Sequence, residues 1–108
     1  MSKNQVIEWA SFRLAEGMNE ATFLAASDAM QTGFLGKQKG FVKRELVKTG
    51  DGQWADVVYW ASRADAESAM PNAMKNTAAL KYFELLRGVD DEHPEPGVSH
   101  LVIMESYS

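Results

Sequence analysis

The sequence predicts an α+β fold in which strands and helices follow one another in the order β-α-β-β-α-β. Segments rich in β-branched and aromatic residues alternate with segments whose apolar residues recur at helical spacing. An Asp-Gly pair at residues 51 and 52 is typical of a tight hairpin between two of the strands. The chain has 108 residues, the size of one domain, so we expect a single domain over residues 1–108.

The first half of the chain supplies a strand, a helix and a second strand. Val6 to Leu14 (VIEWASFRL) has the composition of a strand, and Gly17 ends it. Asn19 then suits the N-cap of a helix. One face of that helix carries Phe23, Ser27, Met30 and Phe34. Three glycines close the helix and form the loop after it: Gly33, Gly36 and Gly40. The second strand runs from Phe41 to Thr49.

The second half begins with the other strand of the hairpin, Trp54 to Ala61. Ser62 suits the N-cap of the next helix, and Asp65 stands three residues later, as in a capping box. Pro71 is expected to kink or restart this helix, because proline lacks the backbone N–H. Helical spacing then resumes from about Asn76 to Leu86.

The chain closes with an acidic loop and a fourth strand. The segment VDDEHPEPG contains a charge cluster, Asp90, Asp91, Glu92, His93 and Glu95, that lacks the spacing of a calcium or zinc site. Val98 to Tyr107 (VSHLVIMESY) is predicted to form the fourth strand. The complete order is that of the ferredoxin-like fold, an antiparallel sheet with its helices on one face.

Both faces of the predicted sheet are apolar, although the helices can cover only one of them. The third strand shows this in both of its phases: Trp54, Asp56, Val58 and Trp60 on one face, and Ala55, Val57, Tyr59 and Ala61 on the other. We therefore expect a homodimer in which the sheet of a second copy covers the free face, with Trp9 at the seam. The alternative is a monomer with scattered exposed aromatic residues.

Charge and composition exclude several classes of function. With 11 basic and 15 acidic residues, the net charge of -4 argues against nucleic-acid binding, which requires a clustered basic face. No apolar run is long enough for a membrane helix, and the N-terminal segment has no apolar stretch typical of a secretory signal. We therefore expect no membrane partner and a cytoplasmic location. The absence of cysteine excludes disulfides and thiol chemistry.

The segment GFVKRELVKTGDGQWADVVYWASRADAESAM resembles the antibiotic biosynthesis monooxygenase-like family of the dimeric α/β-barrel superfamily. The shared features are a glycine before the second strand, the Gly-Asp-Gly hairpin, a strand ending in Trp-x-Ser and an acidic, alanine-rich helix. The resemblance extends over residues 6–107. It implies a pocket between each sheet and its own helices. It also implies an activity among cofactor-independent oxygenases of aromatic polyketides, quinol oxygenases and haem-degrading enzymes.

Haem degradation is the least favoured of these activities. The haem-degrading members carry an asparagine late in the first strand, a tryptophan on the helix after the third strand, and a haem-binding histidine one helix later. The nearest positions of this chain hold Phe12, Ala69 and Ala79, so all three roles are missing. We expect no cofactor.

Asp56 and His100 are the candidate catalytic residues. An oxygenase without a cofactor needs a proton acceptor for a phenolic or enolic substrate, because the anion must reduce oxygen directly. Asp56 lies among apolar strand residues and His100 can exchange a proton near neutral pH. The structural alternatives are an ion pair of Asp56 with Arg13 or Arg44, and a hydrogen-bonded histidine without a catalytic role.

The candidate substrate-binding residues are aromatic side chains and methionines. Tyr59 and Trp60 could donate hydrogen bonds to a substrate oxygen. An adaptable apolar wall would consist of Met30, Phe34, Met74 and Phe83. All of these residues could equally be ordinary core residues.

The sequence thus favours a cofactor-independent monooxygenase for an aromatic or quinol-like small molecule. The alternatives are a dimeric module that binds a small apolar ligand without chemistry, and an isomerase or lyase on the same scaffold.

Overall fold

The computed structural model describes residues 5–50, 52–89 and 97–108. Asp51 of the predicted hairpin and the predicted acidic loop over residues 90–96 lie outside the described residues. The elements in chain order are β1 (Val6–Leu14), α1 (Glu20–Gly33), a 3-10 turn (Leu35–Lys37), β2 (Phe41–Gly50), β3 (Gln53–Trp60), α2 (Arg63–Ala73), α3 (Thr77–Phe83), β4 (Leu86–Arg87) and β5 (Gly97–Val102). The predicted α+β, ferredoxin-like fold is confirmed.

The strands form one antiparallel sheet in the order β2-β3-β1, with β4 and β5 both pairing with the free side of β1. β5 pairs with residues 6–11 of β1, and the short β4 pairs with residues 13 and 14. In the hairpin, Gly50 pairs with Gln53, and Gly52 has a φ of +70°, a conformation that glycine adopts without a steric cost. The register places Ala10 opposite Asp56 and Glu8 opposite Val58.

Side-chain caps begin each of the three α-helices in the part of the chain that the structure describes. The side-chain oxygens of Asn19, Ser62 and Asn76 accept hydrogen bonds from the backbone N–H groups of Thr22, Asp65 and Ala79. Each cap satisfies one of the N–H groups that the first helical turn leaves without a partner. The helix starts predicted at Asn19 and Ser62 are therefore confirmed.

Some predicted boundaries differ from the structure. α2 continues past Pro71 to Ala73, whereas the helix predicted to resume at about Asn76 agrees with α3, which starts at Thr77. Leu86, predicted to end a helix, belongs to β4 instead, because Leu14 of β1 offers it a pairing partner. The last strand ends at Val102 rather than Tyr107, so residues 103–108 have no regular structure.

An aromatic cluster fills the space between the helices and the sheet. The ring of Phe23 on α1 lies 5.7 Å from Phe12, 5.2 Å from Trp54 and 5.6 Å from Tyr82, measured between centroids. All four side chains are buried. Trp54, with the other residues of its phase, therefore faces the helices, and this face of the sheet is the one that carries the core.

The opposite face of the sheet is apolar around β1 and β5. Trp9 is 38% exposed and Leu101 is 50% exposed, and they lie on the face away from the helices. The homodimer that would cover this face stays a prediction. No helix in the described part of the chain is long and apolar enough to cross a membrane.

Candidate functional site

A cavity of about 480 Å³ lies between the sheet and the helices. Its helical wall is apolar among the described residues, with Met30 and Phe34 at the end of α1 and Ala69 and Ala73 on α2. Met70, 44% exposed, stands where the cavity meets solvent. The sheet wall is different in character, because it carries charged side chains as well as apolar ones. Those charged residues are Glu8, Arg44 and Asp56.

Asp56 is held in a closed network with Arg44 and Tyr82. The Nε of Arg44 donates to Asp56 Oδ1 at 2.7 Å, and the Tyr82 hydroxyl donates to Asp56 Oδ2 at 2.5 Å. Arg44 also donates to the Tyr82 hydroxyl at 3.1 Å and to the carbonyl of Ser27 at 3.4 Å. Both carboxylate oxygens of Asp56 therefore have a partner, as a buried charge requires.

Burial and charge shift the ionisation of the two partners of Asp56. Burial, reinforced by the negative charge of Asp56, raises the pKa of the Tyr82 hydroxyl well above its ordinary value, so Tyr82 stays protonated. Burial lowers the pKa of Arg44, but the charge and hydrogen bond of Asp56 more than offset it, so that the pKa of Arg44 is raised overall. The network is thus a fixed ion pair with a neutral phenol.

Glu8 provides a second carboxylate in the cavity, and it has fewer and longer polar contacts than Asp56. Its Oε1 lies 3.5 Å from Nε2 of His100, which reaches it from the neighbouring strand β5. The side chains are 18% and 20% exposed, so the pair lies at the boundary between cavity and solvent. Burial raises the pKa of Glu8 above its ordinary value; His100 and Trp60 lower it in part, and the charge of Asp56 adds to the increase.

Trp60 presents a buried donor without a partner. The residue is 1% exposed and lines the cavity, and its indole N–H makes no hydrogen bond of standard geometry with any described residue. It does lie close enough to Glu8 to lower the pKa of that carboxyl. A buried N–H without an acceptor costs free energy, so this donor is available to an oxygen atom placed in the cavity.

The structure brings most of the predicted site residues to one place. Six of them line the cavity or its mouth: Asp56, Trp60, Met30, Phe34, Met74 and Phe83. His100 does not line it but contacts Glu8, which does. Tyr59 points to the opposite face of the sheet, where its hydroxyl donates to Glu45 at 3.2 Å and Lys43 lies over its ring. The roles predicted for these residues remain predictions.

Glu8 and Tyr82 were not among the residues that the sequence predicted for the site. The strand pattern does indicate that Glu8 faces the core, because it lies on the same face of the strand as Val6, Phe12 and Leu14. Tyr82 had no such signal, since a tyrosine on a short helix is as often exposed as buried. Its contact with Asp56 joins residues 26 positions apart.

Comparison with known proteins gives matches in structure only. Neither a protein-family model nor a curated protein matches the sequence. SnoaB, a cofactor-independent oxygenase from Streptomyces nogalater, superposes with a TM-score of 0.62 at 16% identity, over 97% of this chain and 96% of that one. A candidate antibiotic biosynthesis monooxygenase from Bordetella bronchiseptica has a TM-score of 0.66 at 17% identity, over 92% and 96% of the two chains. The chain has the antibiotic biosynthesis monooxygenase-like fold.

Another solved structure matches equally well. Rv0793 from Mycobacterium tuberculosis has a TM-score of 0.66 at 20% identity, over 96% of this chain and 99% of that one. The resemblance found in the sequence is thus confirmed for the fold. Within residues 5–50, 52–89 and 97–108, no group of His, Asp or Glu side chains is arranged to hold a metal ion.

Proposed function

We propose that this protein is a cofactor-independent monooxygenase that acts on an aromatic or quinol-like small molecule in the cavity between sheet and helices. The observation that carries the proposal is the cavity itself. Its 480 Å³ is within the range of about 300–1,000 Å³ typical of small-molecule sites, and its walls are apolar apart from the polar groups on the sheet side. A planar apolar molecule with one or two oxygen atoms fits this combination.

The chemistry requires no external reductant. Removal of a proton from a quinol leaves an electron-rich anion that can reduce molecular oxygen. The quinol and oxygen together give a hydroxyquinone and water, so one oxygen atom joins the ring and the other leaves as water. The protein has to exclude water, accept the proton and donate a hydrogen bond to the developing oxyanion. Asp56 and Glu8 are the described carboxylates in the cavity, and Trp60 is a donor.

A direct test is oxygen consumption with 1,4-dihydroxynaphthalene as the substrate. We expect uptake above the spontaneous rate, with 2-hydroxy-1,4-naphthoquinone and water as products and no loss of rate with a metal chelator. Met70→Trp is expected to obstruct the mouth and reduce uptake toward the spontaneous rate. Leu80→Trp is the matched control, because Leu80 is exposed on α3 and does not line the cavity. Uptake that is the same with and without the protein would count against the proposal.

A second candidate function is a module that binds a small apolar ligand without chemistry. The observation that favours it is the closure of the Asp56 network, in which Arg44 and Tyr82 already occupy both carboxylate oxygens. Retention of an aromatic ligand without oxygen uptake would support this alternative. Turnover without oxygen consumption would instead support an isomerase or lyase.

We also infer that two copies pair through the sheet faces that the helices leave uncovered. The support is the exposure of Trp9 and Leu101 on neighbouring strands of that face. Covering an apolar surface on two adjacent strands removes it from water, and this stabilises the dimer.

A further inference from the structure

The geometry points to Glu8 and His100 as the proton-accepting pair of the cavity, with the Trp60 N–H as the donor that holds the resulting substrate oxyanion. The inference deepens the proposed function and rests on it for the reaction that follows. It assigns the proton transfer to a carboxylate that the sequence did not single out. It also leaves Asp56 as a positioning residue for Arg44 and Tyr82 rather than as the base.

The two carboxylates in the cavity differ in their hydrogen-bond partners, and this difference favours Glu8 as the proton acceptor. Both oxygens of Asp56 are engaged at 2.7 Å and 2.5 Å by donors that are themselves held in place. Protonating Asp56 would break a buried ion pair with Arg44. Glu8 has only the 3.5 Å contact of His100 and the nearby Trp60 N–H. Its proton affinity is already increased by burial, which favours its use as a base.

His100 is placed to support Glu8 as the proton acceptor. Its Nε2 lies 3.5 Å from Glu8 Oε1, and it does not itself line the cavity, whereas Glu8 does. An imidazole in contact with the carboxylate can share the accepted proton, so that the proton stays on the pair. The substrate O–H bond breaks, the proton passes to Glu8, and the electron pair stays on the substrate oxygen.

The charges that face the cavity favour a substrate that enters in its neutral form. The described groups are Glu8 and Asp56, which are acidic, and Arg44, which Asp56 already neutralises. The helical wall contributes no charged residue to the described lining. An anion that entered from solvent would meet the negative charge of Glu8 at short range, which His100 offsets only in part. A neutral acid that transfers its proton to Glu8 leaves the total charge of the cavity unchanged, which costs less in an apolar site.

The Trp60 donor completes the arrangement. It is buried, unpartnered among the described residues, and adjacent to Glu8. An oxygen atom between the carboxylate and the indole could lose its proton to Glu8 and then accept a hydrogen bond from Trp60. The indole N–H of Trp60 has no hydrogen-bond acceptor in the described part of the chain when no ligand oxygen is present. A donor that is already in position before the oxyanion forms is the preorganisation expected of an oxyanion site.

The first experiment needs no ligand. Carboxyl carbon NMR would follow the titration of Glu8 in the wild-type protein and in His100→Gln. We expect the Glu8 midpoint above that of an ordinary glutamate, and a further rise in His100→Gln, because the charge and contact of His100 lower it. A Glu8 midpoint that does not change in His100→Gln would overturn the pairing of the two residues.

The second experiment uses 4-nitrophenol, whose phenolate absorbs visible light and whose neutral form does not. At a pH where the free probe is mainly neutral, wild-type protein should increase the phenolate fraction about tenfold, equivalent to one pKa unit. The proton should stay on the protein, so a weakly buffered solution should not acidify on binding. Glu8→Gln should bind the probe in its neutral form, while Glu45→Gln, on the other face of the sheet, should behave as wild type.

Each other outcome contradicts the inference. Phenolate formation with release of a proton to solution would mean that the cavity simply binds anions. An unchanged phenolate signal in Glu8→Gln would remove Glu8 as the acceptor, and absence of binding to the wild-type protein would show that the cavity offers no such site. Neither experiment depends on oxygen, so a failure here is distinguishable from a failure of the oxygenase proposal, which is measured by oxygen uptake.

Discussion

Two carboxylates on the same face of the sheet, Asp56 and Glu8, have different surroundings and therefore different chemistry. Asp56 accepts hydrogen bonds from Arg44 and Tyr82, and Arg44 also donates to the Tyr82 hydroxyl. These bonds hold all three side chains in place. Glu8 contacts a histidine at the edge of the cavity. The hydrogen-bond partners therefore distinguish Asp56, which is fully engaged, from Glu8, which can still interact with a ligand.

The Tyr82 hydroxyl should contribute measurably to stability. Tyr82→Phe removes the donor to Asp56 Oδ2 and leaves that oxygen buried without a partner. We expect a loss of about 1–3 kcal/mol in the free energy of unfolding, measured by chemical denaturation. Tyr107→Phe is the matched control, because Tyr107 is 91% exposed. Equal stabilities for the two variants would show that the hydroxyl is not part of a tight network.

Glu8 should reduce the stability of the folded protein at neutral and alkaline pH. Its pKa is raised above the ordinary value of 4.5, so between that value and the folded pKa the native state binds more protons than the unfolded state. Stability therefore falls as the pH rises through this window and stays lower above it, where the buried carboxylate is charged.

Glu8→Gln is consequently expected to raise the melting temperature at pH 8 and to change it less at pH 4. Thermal unfolding at the two pH values measures the difference, with Glu45→Gln as the control on the exposed face. A larger gain at pH 4 than at pH 8 would contradict the raised pKa. A buried carboxylate that lowers stability at neutral pH is more simply explained by function than by folding.

The short helix α3 depends on its N-cap. It has seven residues, too few for a stable isolated helix, and it carries Tyr82 to Asp56. Asn76 accepts a hydrogen bond from the N–H of Ala79 at 3.0 Å and donates one to the carbonyl of Gly33 at 3.3 Å. The second bond ties the start of α3 to the end of α1.

Asn76→Ala should therefore lower the free energy of unfolding by about 1 kcal/mol, the usual cost of losing an N-cap. Lys75→Ala, at the exposed neighbouring position, should have a much smaller effect. Urea denaturation of both variants gives the comparison. If they lose the same amount, the cap does not hold the helix.

For the helices and strands, sequence patterns predicted the first residue of an element better than its last residue. N-caps and strand composition are local signals, so β1 and the starts of α1 and α2 agree with the structure. The end of α3 and the division of the sheet edge beside β1 between β4 and β5 depend on which residues find pairing partners along β1. Those partners are distant in sequence and leave no local signal.

For the whole molecule, the uncovered sheet face is the feature with the largest consequence. The wild-type protein is expected to sediment at twice the 12.0 kDa mass of one chain, because Trp9 and Leu101 would otherwise remain in water. A Trp9→Lys, Leu101→Lys double variant should sediment as a single chain, since lysines facing each other across a two-fold axis repel. Leu80→Lys, on the helical side, should remain a dimer.

Sedimentation of the wild-type protein as a single chain at high concentration would contradict the pairing of sheets. It would leave the cavity in place, because the cavity lies between each sheet and the helices of the same chain. The dimer and the site are therefore separable hypotheses.

The sequence by itself determined the order of the main elements, the caps at Asn19 and Ser62 and the phase of each long strand, because these follow from local hydrogen bonding and from the two-residue period of a strand. It placed Asp56 and Trp60 on one face for the same reason. Only the tertiary structure decided that Asp56 is closed off by Arg44 and Tyr82, 12 and 26 residues away, while Glu8 remains accessible beside His100. Which side chains contact these two carboxylates depends on packing between elements that are distant in sequence. Such packing leaves no periodic pattern in the sequence.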